Sequence, residues 1–393
     1  MLIGWFAVRR RETKVQRVVQ VKSCRNAEQN KEDEVKSQTV AEDFLQRFVH
    51  SKKYIIYKAP ALQQLTGLEY LYIDSTDNNV KIMQPSTPNY KGINHPEGVL
   101  GHTLKPLFTS IRSMSPNFGF ISYSDQPPGC SASDKFGHSK GVLMADKTGT
   151  GVWLLHSTPQ FPFRRHKDHF WPESGARNAQ IFICVTFPYN QFRHIGNHLQ
   201  YIGAFPFEHD LPEDFHGELR DAVNWKQSPP PNNFQLLTSS ASNIFNSIAK
   251  QQSLQAKVGD LYVTIAQLVG SDLDVQTWGC QSGRSRSYCI PRIAKVINIK
   301  TIRTGLGDWT SKNDHSKWCV AQNQNKDWIC IADMNRAPTQ YERRGGALCF
   351  QNAAVKKIFK IFTGATEDCT TPSIMDTMDT DCEPDSMYSS LMG

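Results

Sequence analysis

From Tyr54 onward the apolar residues fall into short runs. Tyr54-Ile55-Ile56-Tyr57, Leu68-Glu69-Tyr70-Leu71-Tyr72-Ile73, Gly119-Phe120-Ile121-Ser122-Tyr123 and Ile181-Phe182-Ile183-Cys184-Val185 are rich in β-branched and aromatic residues, as strands of a largely buried sheet are. Helical spacing predicts helices over residues 41–49, 241–255 and 260–269, and a β-rich texture returns over 294–302. Between these stretches, Ser228-Pro229-Pro230-Pro231-Asn232-Asn233 can continue neither a helix nor a central strand. The pattern predicts a mixed α/β protein. It has an N-terminal extension over 1–44, a first lobe over 45–227, a linker over 228–233, a second lobe over 234–368 and a tail over 369–393. The tail carries Asp376, Asp379, Asp381, Glu383 and Asp385 with no basic residue, and reads as acidic and disordered.

Composition narrows the class. Hydrophobic residues at 39% and charged residues at 21% exclude an unfolded chain, and no apolar run reaches the roughly 18 residues that a membrane helix needs. A formal charge of +7 suits a polyanionic partner, because cations that neutralise phosphates release counterions. Ten cysteines suit an oxidising compartment. Two features point the other way. The early apolar stretch Leu2 to Val8 precedes Arg9, Arg10 and Arg11, the reverse of the order in a secretory signal, and the chain contains no Asn-x-Ser/Thr sequon.

Two segments share a pattern that carries chemistry. Gly137-His138-Ser139-Lys140-Gly141 opens a strand, a polar turn follows over 147–151, and Val152-Trp153-Leu154-Leu155-His156 returns. Likewise Asp314-His315-Ser316-Lys317-Trp318 opens a strand, a turn covers 322–327, and Trp328-Ile329-Cys330-Ile331-Ala332-Asp333-Met334-Asn335 returns. Residues i and i+2 of a strand share a face, so each His-x-Lys presents an imidazole beside an ammonium. That pairing serves phosphodiester chemistry: the ammonium holds phosphate oxygens, one imidazole attacks phosphorus, and the other, protonated, donates to the departing oxygen.

His-x-Lys alone is weak evidence, since roughly one match arises by chance in a chain of this size. A third copy, His50-Ser51-Lys52, lacks a returning strand and reads as a surface decoy. His156 closes an apolar run and is either a site residue or a turn cap, while His166 and His169 lie in a basic loop and read as solvent-facing. No Cys-x-x-Cys occurs, which disfavours structural zinc, and neither a Walker loop nor a Gly-x-Ser-x-Gly elbow is present. No cofactor is implied.

Together with Tyr57-Lys58-Ala59-Pro60, Gly67-Leu68-Glu69-Tyr70-Leu71-Tyr72, His156-Ser157-Thr158-Pro159-Gln160-Phe161-Pro162 and Asp333-Met334-Asn335-Arg336, these segments resemble the deoxyribonuclease II family, its beta branch somewhat more, from about Tyr54 to Cys369. The resemblance implies a pseudo-dimeric, phospholipase D-like α/β fold with one His-x-Lys from each lobe. It implies metal-independent, acid-active endonucleolysis of double-stranded DNA that leaves 3′-phosphate ends, in a lysosomal or secreted protein, monomeric or homodimeric. By that resemblance the site residues are His138, His156, His315, Lys140, Lys317 and Asn335, with the nucleophile left open between the histidines. Disulfides Cys24 to Cys184, Cys289 to Cys369 and Cys330 to Cys349 are implied in the same way, leaving Cys130, Cys280, Cys319 and Cys382 unassigned. Other readings of the same chemistry are a phospholipase or other phosphodiesterase and an inactive DNA-binding relative.

Overall fold

A computed structural model describes residues 53–74, 79–226, 234–290 and 294–369. The expected extension over 1–44, the helix over 41–49, His50, the linker over 228–233 and all of the tail beyond Cys369 lie outside the described residues.

Two eight-stranded sheets organise the chain. The first contains β1 (Lys53–Lys58), β2 (Tyr70–Asp74), β3 (Val80–Met83), β4 (Phe118–Ser124), β5 (Lys140–Asp146), β6 (Thr150–His156), β7 (Gln180–Pro188) and β8 (Pro206–Asp210), in the order β3-β2-β1-β7-β6-β5-β4-β8. The second contains β9 (Phe234–Thr238), β10 (Ile244–Ala249), β11 (Leu273–Gln276), β12 (Tyr288–Ile290), β13 (Ala294–Asn298), β16 (Trp318–Ala321), β17 (Trp328–Ala332) and β18 (Gly346–Gln351), in the order β12-β13-β11-β16-β17-β18-β10-β9. A separate hairpin, β14 (Thr301–Thr304) with β15 (Gly307–Thr310), completes the set of described strands. The five-strand run β4-β5-β6-β7-β1 of one sheet matches β11-β16-β17-β18-β10 of the other, in chain order as well as in place. The internal likeness of the two His-Ser-Lys segments therefore extends to topology: β5 and β16 hold the same place in their sheets.

Burial follows the pleat. Along β5 and β6, Leu143, Ala145, Trp153 and Leu155 face a core shared with Trp318, Val320, Ile329 and Ile331 of the second sheet, while Val142, Met144, Val152 and Leu154 face an outer core. The shared core also takes in apolar residues of the helices Phe192–Tyr201, Gly217–Val223 and Ala353–Phe362. In the last of these, Val355, Ile358, Phe359 and Phe362 recur at helical spacing and bury one stripe, and Asn352 caps the start by accepting from the Val355 N–H at 2.9 Å. The far face of the second sheet packs on the helix Leu261–Val269, which Asp260 caps and Gly270, at φ 63°, terminates.

One expectation needs correction. The stretch 241–255 is not a helix: Ile244–Ala249 is β10, paired with β18 and β9. A central strand is apolar on both faces, and Phe245, Ile248 and Ala249 then imitate the i, i+3, i+4 spacing of a helix. The expected Cys24 to Cys184 bridge falls on a residue, Cys24, that is not among those described. Cys184 is buried in mid-β7 opposite Tyr54. Burial pushes the Cys184 thiol up to about 12. The other two bridges are present, Cys289–Cys369 and Cys330–Cys349, the latter joining neighbouring strands β17 and β18.

Candidate active site

Lys140 begins β5, Lys317 immediately precedes β16, and the two histidines sit just ahead of them on the incoming chain. Each histidine is tied by the other half of the molecule. The His138 N–H donates to Arg344 O at 2.9 Å, and the His315 N–H donates to Ala179 O at 2.9 Å. Arg344 lies just before β18 and Ala179 just before β7, strands that correspond between the sheets. The tie is close-fitting: a Cβ on Gly137 would lie 1.8 Å from Ile202 O, so only glycine lets the chain approach there.

The result is one cleft of about 370 Å³ lined by His138, Lys140, His315, Lys317 and Asn335. Five of the six expected site residues thus converge from two sheets. The sixth, His156, does not line the cleft. It is 5% exposed and packed edge-on against Phe161 with ring centroids 4.9 Å apart. Among the described residues its ring nitrogens find no hydrogen bond of good geometry, the Thr158 backbone offering only a weak one. The equal spacing of the sequence is not an equal register either. His156 is the neighbour across from Lys140, whereas Asp333 follows Ala332, whose N–H bonds Lys317 O.

His138 Nδ1 lies 2.7 Å from Asp333 O. A carbonyl only accepts, so Nδ1 carries the proton and the neutral ring keeps its lone pair on Nε2. His315 Nε2 is buried without a partner among the described residues, and the Trp278 indole meets the ring edge-on at 4.5 Å. Lys317 Nζ donates to His315 O at 2.6 Å. Asn335 accepts from the Trp278 N–H at 3.2 Å and donates to Gln281 Oε1 at 2.8 Å, which fixes its amide. Behind His315, Asp314 is fully buried. It accepts from Tyr57 Oη at 2.5 Å, Trp309 Nε1 at 2.8 Å and the Ser316 N–H at 2.8 Å.

Sequence reasoning missed Asp125 and Arg343. Asp125 directly follows β4, a strand-end position without a motif, and it pairs with Lys140 and, at 3.2 Å, with Arg343 Nη2. Its Oδ2 is 3.9 Å from His138 Nε2. Arg343 comes from the Arg343-Arg344-Gly345 turn that enters β18, and a basic pair beside a glycine is the faint signal it offered. Trp278 and Gln281, from the segment after β11, also line the cleft.

Charge is concentrated here. Burial, then the nearby Lys140 and Lys317, hold His138 down to about 3, although Asp125 pulls the other way. Burial and the same lysines hold His315 well below the ordinary imidazole range. Lys317 is lowered to about 7 by burial and by Lys140, and burial raises Asp333 to about 8. Burial opposes the charge on Asp125, yet Lys140 and Arg343 keep its carboxyl well below the usual range. The cleft is therefore a cationic pocket with two neutral imidazoles, arranged to receive an anion.

Residues 52–369 match the family model described as Deoxyribonuclease II. The chain is 34% identical over 333 residues to Deoxyribonuclease-2-alpha of Sus scrofa, covering 80% of this chain and 87% of that one. It is 33% identical over 330 residues to Deoxyribonuclease-2-beta of Homo sapiens, covering 80% and 88%. These values draw no distinction between the alpha and beta branches. Among solved structures, yeast tyrosyl-DNA phosphodiesterase overlaps 55% of this chain and 67% of its own at 9% identity, and a TM-score of 0.28 is too low to argue from. On its sequence match over most of its length, with both His-x-Lys segments intact and facing one cleft, the chain belongs to the deoxyribonuclease II family.

Proposed function

We propose that the protein is an acid endonuclease that hydrolyses duplex DNA without a divalent metal and leaves 3′-phosphate ends. The observation that carries this reading is the convergence of His138-x-Lys140 and His315-x-Lys317, from two sheets, on one cationic cleft. Lys140 and Lys317 hold the non-bridging oxygens of the scissile phosphate. His138 is the nucleophile, because its Nδ1 proton is committed to Asp333 O and its lone pair is on Nε2. As the Nε2–P bond forms, the P–O5′ bond breaks, and protonated His315 gives its proton to the leaving 5′-oxygen. Water then attacks the phosphohistidine, His315 takes a proton from that water, and His138 departs, leaving the phosphate on the 3′ side. Both imidazoles are depressed by burial and by neighbouring lysines, so protonating His315 needs acid together with the phosphate anion, which raises its pKa.

Among the described residues, no group of three or more His, Cys, Asp or Glu is placed to hold a metal, and the cleft carboxylate Asp125 is engaged by Lys140 and Arg343. His156, across from Lys140 and outside the cleft lining, does not touch substrate in this reading. A lysosomal or secreted setting fits the acid requirement and disulfides such as Cys289–Cys369 and Cys330–Cys349. Plasmid nicking at about pH 5 in EDTA tests the reading at the reference imidazole pKa of about 6.5 and below. Nicked circles that ligase seals only after the 3′-phosphate is removed and the 5′-hydroxyl is phosphorylated are expected. Activity that vanishes on chelation and returns with Mg²⁺ would refute it.

A further inference from the structure

Asp125 has no part in the two-histidine chemistry, yet it stands at the centre of the cleft's charges. Its side chain is 4% exposed. One oxygen binds Lys140 and the other lies 3.2 Å from Arg343 Nη2 and 3.9 Å from His138 Nε2. An ammonium, a guanidinium and an imidazole around one anion is the set of contacts that a phosphate group would make. Arg343 is not otherwise saturated. Besides Asp125, its Nη2 bonds Phe136 O at 3.2 Å, while its Nε is buried without a partner among the described residues. Gln340, in the short helix Pro338–Tyr341 that precedes Arg343, also lines the cleft, and its buried Oε1 has no partner among the described residues. The two sheets differ at this point: the end of β4 supplies a carboxylate, whereas the end of β11 leads to Thr277 and Trp278.

We infer that Arg343 is a substrate-phosphate ligand masked by Asp125, and that a DNA phosphate entering the cleft displaces Asp125 from Arg343 and leaves Asp125 protonated. The inference rests on the nuclease reading above and extends it to a residue and a proton that reading does not use. The exchange conserves charge. Asp125 is stabilised as an anion by Lys140 and Arg343, and Lys317 also faces it. Asp333 is the acidic group on the far side. A phosphodiester that takes over these cations removes that support and sets a second anion beside the carboxylate, so one of the two must bind a proton from solvent. The carboxylate is the more basic of the two and takes it. DNA binding then consumes a proton, and affinity rises as pH falls, separately from any protonation of His315.

The test uses the full chain with His315→Ala, which keeps the DNA intact, and a short duplex titrated by calorimetry in two buffers of different ionisation enthalpy. Uptake of about one proton per bound duplex near pH 5.5 is expected. Asp125→Asn on the same background should bind about tenfold tighter at pH 7 and take up no proton. Arg343→Gln provides an arm independent of Asp125. The slope of log affinity against log salt should fall by about 0.9, the share of one phosphate contact, and Arg343→Lys should restore it. In the otherwise native enzyme, Arg343→Gln should raise KM about tenfold with kcat changed far less. Unchanged proton uptake in Asp125→Asn, or an unchanged salt slope in Arg343→Gln, overturns the inference while the nuclease reading stands. A wild-type chain that neither binds nor cuts duplex DNA overturns both.

Discussion

Tyr57→Phe isolates the contact that holds the second His-x-Lys segment against the first sheet. The Tyr57 hydroxyl, on β1, donates to buried Asp314 at 2.5 Å and accepts from Ser316 Oγ at 3.1 Å and Trp318 Nε1 at 3.2 Å. Phenylalanine keeps the ring packing, including the parallel Phe359 ring at 6.4 Å, and removes only this oxygen. Losing a hydrogen bond to a charged group costs about 1.5–3 kcal/mol, and stranding the buried Trp318 donor adds about 1–3. The Ser316 hydroxyl can rotate, so a total of about 3–5 kcal/mol is expected. The effect has a pH signature. Burial already raises the Asp314 pKa in the folded state, and removing a donor raises it further. A folded pKa above the unfolded value means that folding is penalised while the group is charged, so the penalty is full at neutral pH and shrinks as pH falls toward the unfolded value near 3.9. Urea unfolding at pH 7.5 and at pH 5 should therefore show a larger loss at the higher pH. Asp314 adjoins His315, so kcat should also drop by about tenfold or more through misplacement of the imidazole. A stability loss below about 1 kcal/mol at both pH values, with kcat intact, would refute this account of the Asp314 network.

Other outcomes follow from the same geometry. His138→Ala and His315→Ala should each lower DNA cleavage by several orders of magnitude with unfolding midpoints near wild type, whereas His156→Ala, outside the cleft lining, should keep activity within about a hundredfold; equal losses in all three, read by plasmid nicking, would return His156 to direct chemistry. His198 is fully buried edge-on to Trp153, with no hydrogen bond at either ring nitrogen among the described residues, and burial lowers it to about 3. A depressed histidine destabilises the fold only below its unfolded pKa near 6.5, by about 2 kcal/mol at pH 5, so His198→Leu should flatten the fall in stability between pH 6.5 and 5 seen by thermal unfolding. Replacing Cys330 and Cys349 by alanine opens a bridge with a sequence separation of 19 and should cost about 3 kcal/mol in urea unfolding, with the acid-pH cleavage rate retained on the folded fraction.

Much of the first sheet was legible in the chain. Runs such as Ile181 to Val185 are dense in β-branched and aromatic residues; β1, β4 and β7 cover three of the stretches read as strands, and β2 covers the fourth from Tyr70 on. The helix over Leu261–Val269 was legible because its ends carry their own signals, Asp260 and Gly270. The stretch 241–255 misled because burial on both faces erases the alternation that marks a strand, and β10 is a strand only by virtue of the partners on its two sides. Pairing across a sheet is non-local, and no window of sequence contains it.

The site divides along the same line. The sequence determined the reacting groups themselves: two His-x-Lys pairs each place an imidazole and an ammonium two residues apart at the entry to a strand. Only the tertiary structure decided that the pairs meet, with His138 tied to Arg344 and Asp333 of the second half and His315 to Ala179 of the first. It also decided which residues join them. Asp125 and Arg343 lie 218 residues apart and become partners through the packing of one sheet's end against the other's entry turn. His156 stands at a matched distance in the sequence, but the register of its hairpin differs from that of the second sheet, and its ring packs on Phe161 instead of lining the cleft. Side-chain chemistry is local and is written in the chain, whereas proximity and desolvation, which set the charge each group carries, belong to the fold.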